Sequence, residues 1–279
     1  VADSEVYGGR WVIALDDTLT SGLAAGDQKA VATWKRIAAA VTFFRQREDV
    51  RAYRPKGLLA VISDFRQPHR AAPYEALNLL PRRRVPAVVI EKSQAQREPF
   101  SGLLGIYYPD PEPPAPKLRQ RLLSFAKGGG TLFTGAKSGI SEGAPMSAEP
   151  YFAFAVRSFG KGRIAVLKEE EPDPYEVAAD IQTMMGRGND LLRFYNGTGM
   201  NCHYVVSPAG KKSLLHVLNY SRRPGLPAGL YVREKCRSAH FLTPEAATPA
   251  EIKTAALESG GMDIPLPPIS SYGAIQLES

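Results

Sequence analysis

The sequence predicts an α/β fold in two parts, a doubly wound parallel sheet covered by helices and then a small all-β sandwich. Three observations carry this reading. From Lys56 to Thr134 short apolar runs alternate with helical stretches, the pattern of strand–helix–strand units in a parallel sheet. Leu118–Lys137 (LRQRLLSFAKGGGTLFTGAK) joins an amphipathic helix, a glycine stop, an apolar strand and a small-residue loop, and such a loop lies where open α/β sheets bind ligands. Beyond Cys202 helical spacing fades, and short apolar runs are separated by Pro- and Gly-bearing turns, as in a sandwich.

Taken in order, Trp11–Leu15 (WVIAL) reads as a strand followed by Asp16, Asp17 and a polar loop. Asp27 is placed to cap a helix running to about Arg47, with Val31, Trp34, Ile37, Ala38, Val41 and Phe44 at helical spacing. One strand and one helix cannot cover their own apolar faces; they either join the following sheet or end a preceding barrel. Leu58–Ile62, Ala87–Ile90, Leu103–Tyr107 and Thr131–Thr134 are the buried parallel strands, with helices over Pro73–Arg83 and around Leu118–Lys127. Gly128–Gly130 is the αL-type stop that a Cβ resists. Tyr151–Phe159 and Arg163–Leu167 form a hairpin about Gly160–Gly162, and Asp173 caps a helix from Pro174 to Met185. The sandwich strands are His203–Val206, Leu214–Asn219, Gly229–Val232, Ala239–Leu242, Lys253–Leu257 and Ala274–Leu277, with Pro265–Pro268 at an edge or in a connector.

Composition narrows the function. The 279 residues suffice for two domains at roughly 100–200 residues each. No apolar window reaches the length of about 18 residues that a membrane span needs, so no membrane partner is expected. The net charge of +7 invites a nucleic-acid reading, but Arg82–Arg84 is the only basic triple and no aromatic platform is interleaved; a solvated basic surface is the better reading and no nucleic-acid partner is expected. Two cysteines, Cys202 and Cys236, do not make a disulfide framework, although they permit one bridge. CxxC and HExxH spacings are absent, so neither a metal nor another cofactor is called for. The start, VADSEVYGG, has no signal-peptide pattern and no initiator Met, leaving open a removed leader or a piece of a longer chain.

The strand at Leu103–Tyr107, the proline-bearing loop after it and LRQRLLSFAKGGGTLFTGAKSG resemble the flavodoxin-like, glutamine-amidotransferase-like domain of beta-galactosidases and related bacterial glycoside hydrolases. FGKGRIAVL at Phe159–Leu167 is similar to a late strand of that domain, and Leu214–Glu278 to the small β-sandwich that ends such enzymes. RWVIALDD and its long helix look like the last strand and helix of the (β/α)8 barrel that precedes the domain. The resemblance implies three segments: residues 1–54 as a barrel remnant, 55–197 as the amidotransferase-like domain and 198–279 as the sandwich. It further implies homo-oligomer contacts and a carbohydrate ligand and, by analogy, a secreted or periplasmic location.

The departures weigh on activity. An amidotransferase needs a Cys nucleophile on a tight strand-to-helix turn, activated by His and Glu; residues 55–197 hold no cysteine and one histidine, His69, which excludes that chemistry. The carboxylate pair of a glycosidase would lie on barrel strands outside this sequence. Candidate ligand-lining residues are Asp16 and Asp17, after the first strand; Asp64, after Leu58–Ile62; and Gly135, Lys137 and Ser138, after Thr131–Thr134. Asp16 and Asp17 have a plain alternative in a helix-capping or loop-solvating role, and Asp64 in an Asx-turn; Ser138 has no histidine nearby in sequence to activate it. A triad of Ser138, His69 and Asp64 can be written but is not favoured by spacing. His216 shares a strand face with Leu214 and Leu218 and reads as a buried, hydrogen-bonded histidine. Three functions remain: a non-catalytic accessory or assembly region of a glycoside-hydrolase-like protein, which leads; an active glycosidase completed by Asp16 and Asp17 or by a partner chain; and a carbohydrate-binding or oligomerising module.

Overall fold

The computed structural model describes residues 1–66, 70–146, 151–196, 199–221 and 228–278. The chain forms two compact units, one of residues 56–193 and one that combines 1–55 with 194–279. Helices α1 (Ala2–Val6), α2 (Asp17–Ala24) and α3 (Gln28–Arg45) open the discontinuous unit. Asp27 caps α3 by accepting the Ala30 N–H at 2.8 Å, as its sequence spacing predicts. The expected strand at Trp11–Leu15 does not form: these residues pair with no strand, and Val12 is 92% exposed. An apolar pentapeptide becomes a strand only where a neighbour completes its hydrogen bonds, and here Asp16 caps a helix instead.

The α/β unit carries β1 (Leu59–Ser63), α4 (Ala71–Arg82), β2 (Ala87–Glu91), β3 (Gly105–Tyr108), α5 (Pro116–Lys127), β4 (Thr131–Thr134), β5 (Phe154–Phe159), β6 (Gly162–Leu167) and α6 (Pro174–Met185). Its sheet runs β2-β1-β3-β4-β6-β5, ending on a short bridge at Ala144–Pro145. β2, β1, β3, β4 and β6 are parallel, and β5 is antiparallel to β6. Alternation along the strands explains why they read as unbroken apolar runs. Leu59, Val61, Tyr107 and Phe133 pack with residues of α4 and α6, whereas Ala60, Ile62, Ile106, Tyr108 and Leu132 pack with Leu118, Leu122 and Ala126 of α5. Both faces are covered. α5 ends at the glycine run, where Gly129 takes φ +122°, a conformation L side chains resist; Gly128 itself is right-handed, so the turn comes one residue later than the first glycine.

The rest of the discontinuous unit is β7 (Leu192–Tyr195, straddling the boundary), β8 (Met200–Val206), β9 (Lys212–Asn219), β10 (Ala228–Val232), β11 (Ser238–Leu242), β12 (Met262–Leu266) and β13 (Tyr272–Glu278). β8-β9-β13-β11 form the body of one sheet, extended at its edges by Arg54–Pro55 and Ala250–Glu251; β12-β10-β7 with Ala255–Ala256 form a second. The expected strand at Lys253–Leu257 shrinks to Ala255–Ala256, and β12 includes Pro265. That proline is tolerated because Ala255–Ala256 pairs only with Asp263 and Met262, leaving Pro265 without a neighbour on that side. α3 lies on the first sheet: Phe43 and Phe44 pack with Val205, Leu214, Leu218, Leu242, Tyr272 and Ala274, a burial worth roughly 1.5–3 kcal/mol per ring. The long helix therefore does not join the parallel sheet that follows it; it covers an antiparallel sheet built from residues 200–278.

Cys202 and Cys236 are free thiols. Burial raises the Cys202 thiol to about 12, so it stays protonated and unreactive in the folded protein. Among the described residues no helix is long and apolar enough to cross a membrane.

Candidate functional site

In the α/β unit the chain reverses its direction of strand addition between β1 and β3, since β2 lies on one side of β1 and β3 and β4 on the other. A crevice opens beyond the carboxyl ends of the two strands at such a switch point. Here it is filled with charge. Asp110, two residues past β3, is fully buried, and its carboxylate is held on both oxygens: the Ser63 hydroxyl donates to Oδ1 at 2.6 Å and Lys92 Nζ to Oδ2 at 2.8 Å. Ser63 is the last residue of β1 and Lys92 the first beyond β2, so three successive strand ends supply the three groups. Lys92 also faces Asp64 at 3.9 Å and Glu112 at 3.8 Å, and its ammonium lies 5.3 Å from the centre of the Tyr108 ring. Burial works against the Lys92 charge, but the bonds to Asp110 and Tyr108 and the Asp110 charge outweigh it and raise the ammonium above its ordinary value.

The backbone around this cluster is unusual. Phe65 adopts φ +56°, rare for a residue with a bulky side chain, and its N–H donates to Ser63 Oγ at 3.0 Å. Ser63 thereby accepts from Phe65 while donating to Asp110, leaving its oxygen wholly inside. Asp64 Oδ1 accepts the Arg66 N–H at 2.9 Å, the Asx-turn expected as its plain role, while Oδ2 turns to Lys92.

Gly135 sits at the end of β4 beside this network. A Cβ there would lie 2.9 Å from the Pro109 carbonyl oxygen and 3.1 Å from that of Asp110, so glycine lets the loops after β3 and β4 touch. Gly135→Val is expected to lower stability by roughly 1–3 kcal/mol in a denaturant melt; an unchanged midpoint would show that the two loops part freely.

Of the candidates read from sequence, Asp64 and Gly135 therefore flank one network. Ser138 follows in the same loop but is fully buried, its Oγ accepting from Ile140 N at 3.4 Å. Lys137 points elsewhere, its exposed ammonium 2.7 Å from exposed Glu170. Asp16 and Asp17 belong to the other unit, where Asp16 caps α2 by accepting the Leu19 N–H at 2.7 Å and Asp17 begins the helix. His69 lies outside the described residues. Lys92 and Asp110 were missed. Their signal in the sequence is faint: a single charge immediately after an apolar run, at Ile90-Glu91-Lys92 and Tyr108-Pro109-Asp110.

Chemically the cluster offers a buried carboxylate already neutralised and a serine already bonded, with acceptor oxygens of Asp64 and Glu112 at its rim. A nucleophile with a base within reach is not assembled by these groups. Among the described residues no three His, Cys, Asp or Glu side chains are placed to hold a metal ion.

No protein-family model matches the sequence, and comparison with curated proteins finds no match. Comparison of structures does find similarity. Alpha-L-fucosidase isoenzyme 2 from Paenibacillus thiaminolyticus aligns with TM-score 0.61 at 10% identity, over 84% of this chain and 51% of that one. A beta-galactosidase from Bacillus circulans sp. alkalophilus aligns with TM-score 0.54 at 12% identity, over 84% of this chain and 44% of that one. Gan42B, a GH42 beta-galactosidase of G. stearothermophilus, gives TM-score 0.54 at 12% identity, over 80% and 40%. The chain thus has a glycoside-hydrolase-like fold and spans about half the length of these proteins or less.

Proposed function

We propose that this chain is a non-catalytic accessory and assembly region of a glycoside-hydrolase-like protein, in which a flavodoxin-like, amidotransferase-like domain of residues 55–197 is followed by a β-sandwich of residues 198–279. One observation carries the reading. At the switch point, where a doubly wound domain would do chemistry, Ser63 and Asp110 are fully buried and bonded to each other and to Lys92, so the reactive groups are spent on structure. The fold likeness to fucosidase and beta-galactosidases supplies the context. Residues 1–54 are read with it as the remnant of a preceding (β/α)8 barrel, with α3 packed on the sandwich through Phe43 and Phe44.

Assay of the chain on nitrophenyl α-L-fucosides, β-galactosides and a wider glycoside panel tests the proposal. No turnover above buffer is expected. Turnover that disappears in Asp17→Asn would overturn the proposal in favour of a hydrolase completed at that helix end. The assembly half rests on the resemblance of the α/β domain to oligomer-forming domains, and the exposed Phe152 and Tyr175 are its candidate contacts. Sedimentation at micromolar protein is expected to show a homo-oligomer; a monomer at that concentration removes this half.

A further inference from the structure

In the discontinuous unit a cavity of about 180 Å³ lies between the C-terminal end of α3 and the first sheet. Its floor follows from the strand register. His216 of β9, Ala274 of β13 and Leu242 of β11 stand abreast, and Leu214 pairs with Gln276 in the next row but one. Ala274 is the small member of its row, so a hollow remains where a larger residue would meet Phe43 and Phe44 above it. The lining passes from buried Ala274 and His216 to exposed Asp49 and Lys212, which opens the cavity at a polar rim. A closed cavity of about 150 Å³ lined by aliphatic and aromatic side chains is large enough for benzene, so this one matches a single six-membered ring.

The rim decides the rest of the ligand. Lys212 is paired with Glu278 at 3.2 Å. Arg47 donates to the Phe43 carbonyl at 3.0 Å and stacks over the Phe43 ring at 3.9 Å, and among the described residues no carboxylate pairs with it. Asp49 is exposed to solvent and its charge correspondingly screened, whereas the half-buried guanidinium beside an aromatic face is a strong anion donor. We propose that this cavity is a binding site for a small monocyclic aromatic carboxylate, its ring against Ala274, Tyr272 and Phe44 and its carboxylate on Arg47. The site is independent of the function proposed above, and its apolar faces disfavour a sugar ring, whose hydroxyls would lose their water.

Titration of the intact chain with benzoate, benzyl alcohol and glucuronate, followed on the His216 ring resonances, tests this. Benzoate is expected to give saturable shifts and to bind at least about tenfold more tightly than benzyl alcohol, with glucuronate inert. Arg47→Gln should weaken benzoate by about tenfold or more, the effect of losing a charged hydrogen bond, and Ala274→Leu should abolish binding by filling the hollow. If Ala274→Leu does not fold, Arg47→Gln alone decides. Absence of a saturable benzoate shift, equal affinity for benzyl alcohol, or benzoate binding untouched by Arg47→Gln would each overturn the proposal.

Discussion

Replacing Lys92 by methionine is expected to cost about 3–5 kcal/mol, the penalty of leaving a buried charge without its partner. Asp110 is fully buried and would keep only the Ser63 hydroxyl. The reverse substitution is expected to be milder. In Asp110→Asn the lysine, 21% exposed, still has Asp64 and Glu112 within 4 Å, so a loss of about 1–2 kcal/mol is expected. Combining the two should recover much of the Lys92→Met loss, because no charge is then stranded. Hydrogen exchange on peptides covering β1 and β3 reads these effects in the α/β unit itself. A Lys92→Met loss below about 1 kcal/mol, or one no larger than that of Asp110→Asn, would mean the carboxylate finds water. At high pH the sign is set by the raised ammonium: its stabilisation is complete below the ordinary lysine value and is lost as pH rises through the folded-state value.

The second large effect is expected in acid. Burial lowers His203 to about 4, and burial followed by the neighbouring His203 charge lowers His216 to about 3. The rings are 6.3 Å apart; His203 lies 5.2 Å from the Tyr7 ring, and His216 Nδ1 bonds the Tyr272 hydroxyl at 2.8 Å. Both histidines stay neutral in the folded protein between those values and 6.5, whereas the unfolded chain takes up the protons. The unfolded state therefore binds more, and stability present above pH 6.5 is lost as pH falls toward 4. The slope is up to about 1.4 kcal/mol per pH unit for each histidine, with most carboxylates still ionised between pH 6.5 and 5. Trp11 and Trp34 both belong to this unit, so their fluorescence follows its melting. The melting temperature is expected to fall by several degrees over that interval, and His216→Gln to flatten the dependence. Histidine ring resonances for both residues that titrate near 6.5 would refute it.

Much of the fold was legible where local signals and tertiary outcome agree. Asp27 in the discontinuous unit and Asp173 in the α/β unit cap the helices they precede, and β4 falls where the apolar run predicts it. The buried-histidine reading of His216 followed from alternation alone and matches its 5% exposure. What stayed hidden is non-local or contrary to propensity. α2 carries Thr18, Thr20, Ser21 and Gly22, weak helix formers, yet a Cβ on Gly22 would come 2.9 Å from the Ala30 Cβ, so the glycine serves helix packing rather than a loop. The cover for α3 comes from β9 and β13, which no window around residue 44 can contain. Lys92 and Asp110 acquire meaning only from strand order, because β1, β2 and β3 must first be set side by side before their end residues meet.

The division of one unit into residues 1–55 and 194–279 has a consequence for the order in which the protein can mature. The α/β unit is continuous and can close once its own last helix leaves the ribosome. α3 cannot, since Tyr272 and Ala274, which seal Phe43 and Phe44, emerge long after it. At about 5–20 residues per second of translation, those two rings wait on the order of ten to fifty seconds in contact with solvent or a chaperone. The nascent chain thus carries a greasy helix until long after the α/β unit can close, and β13 is what retires it.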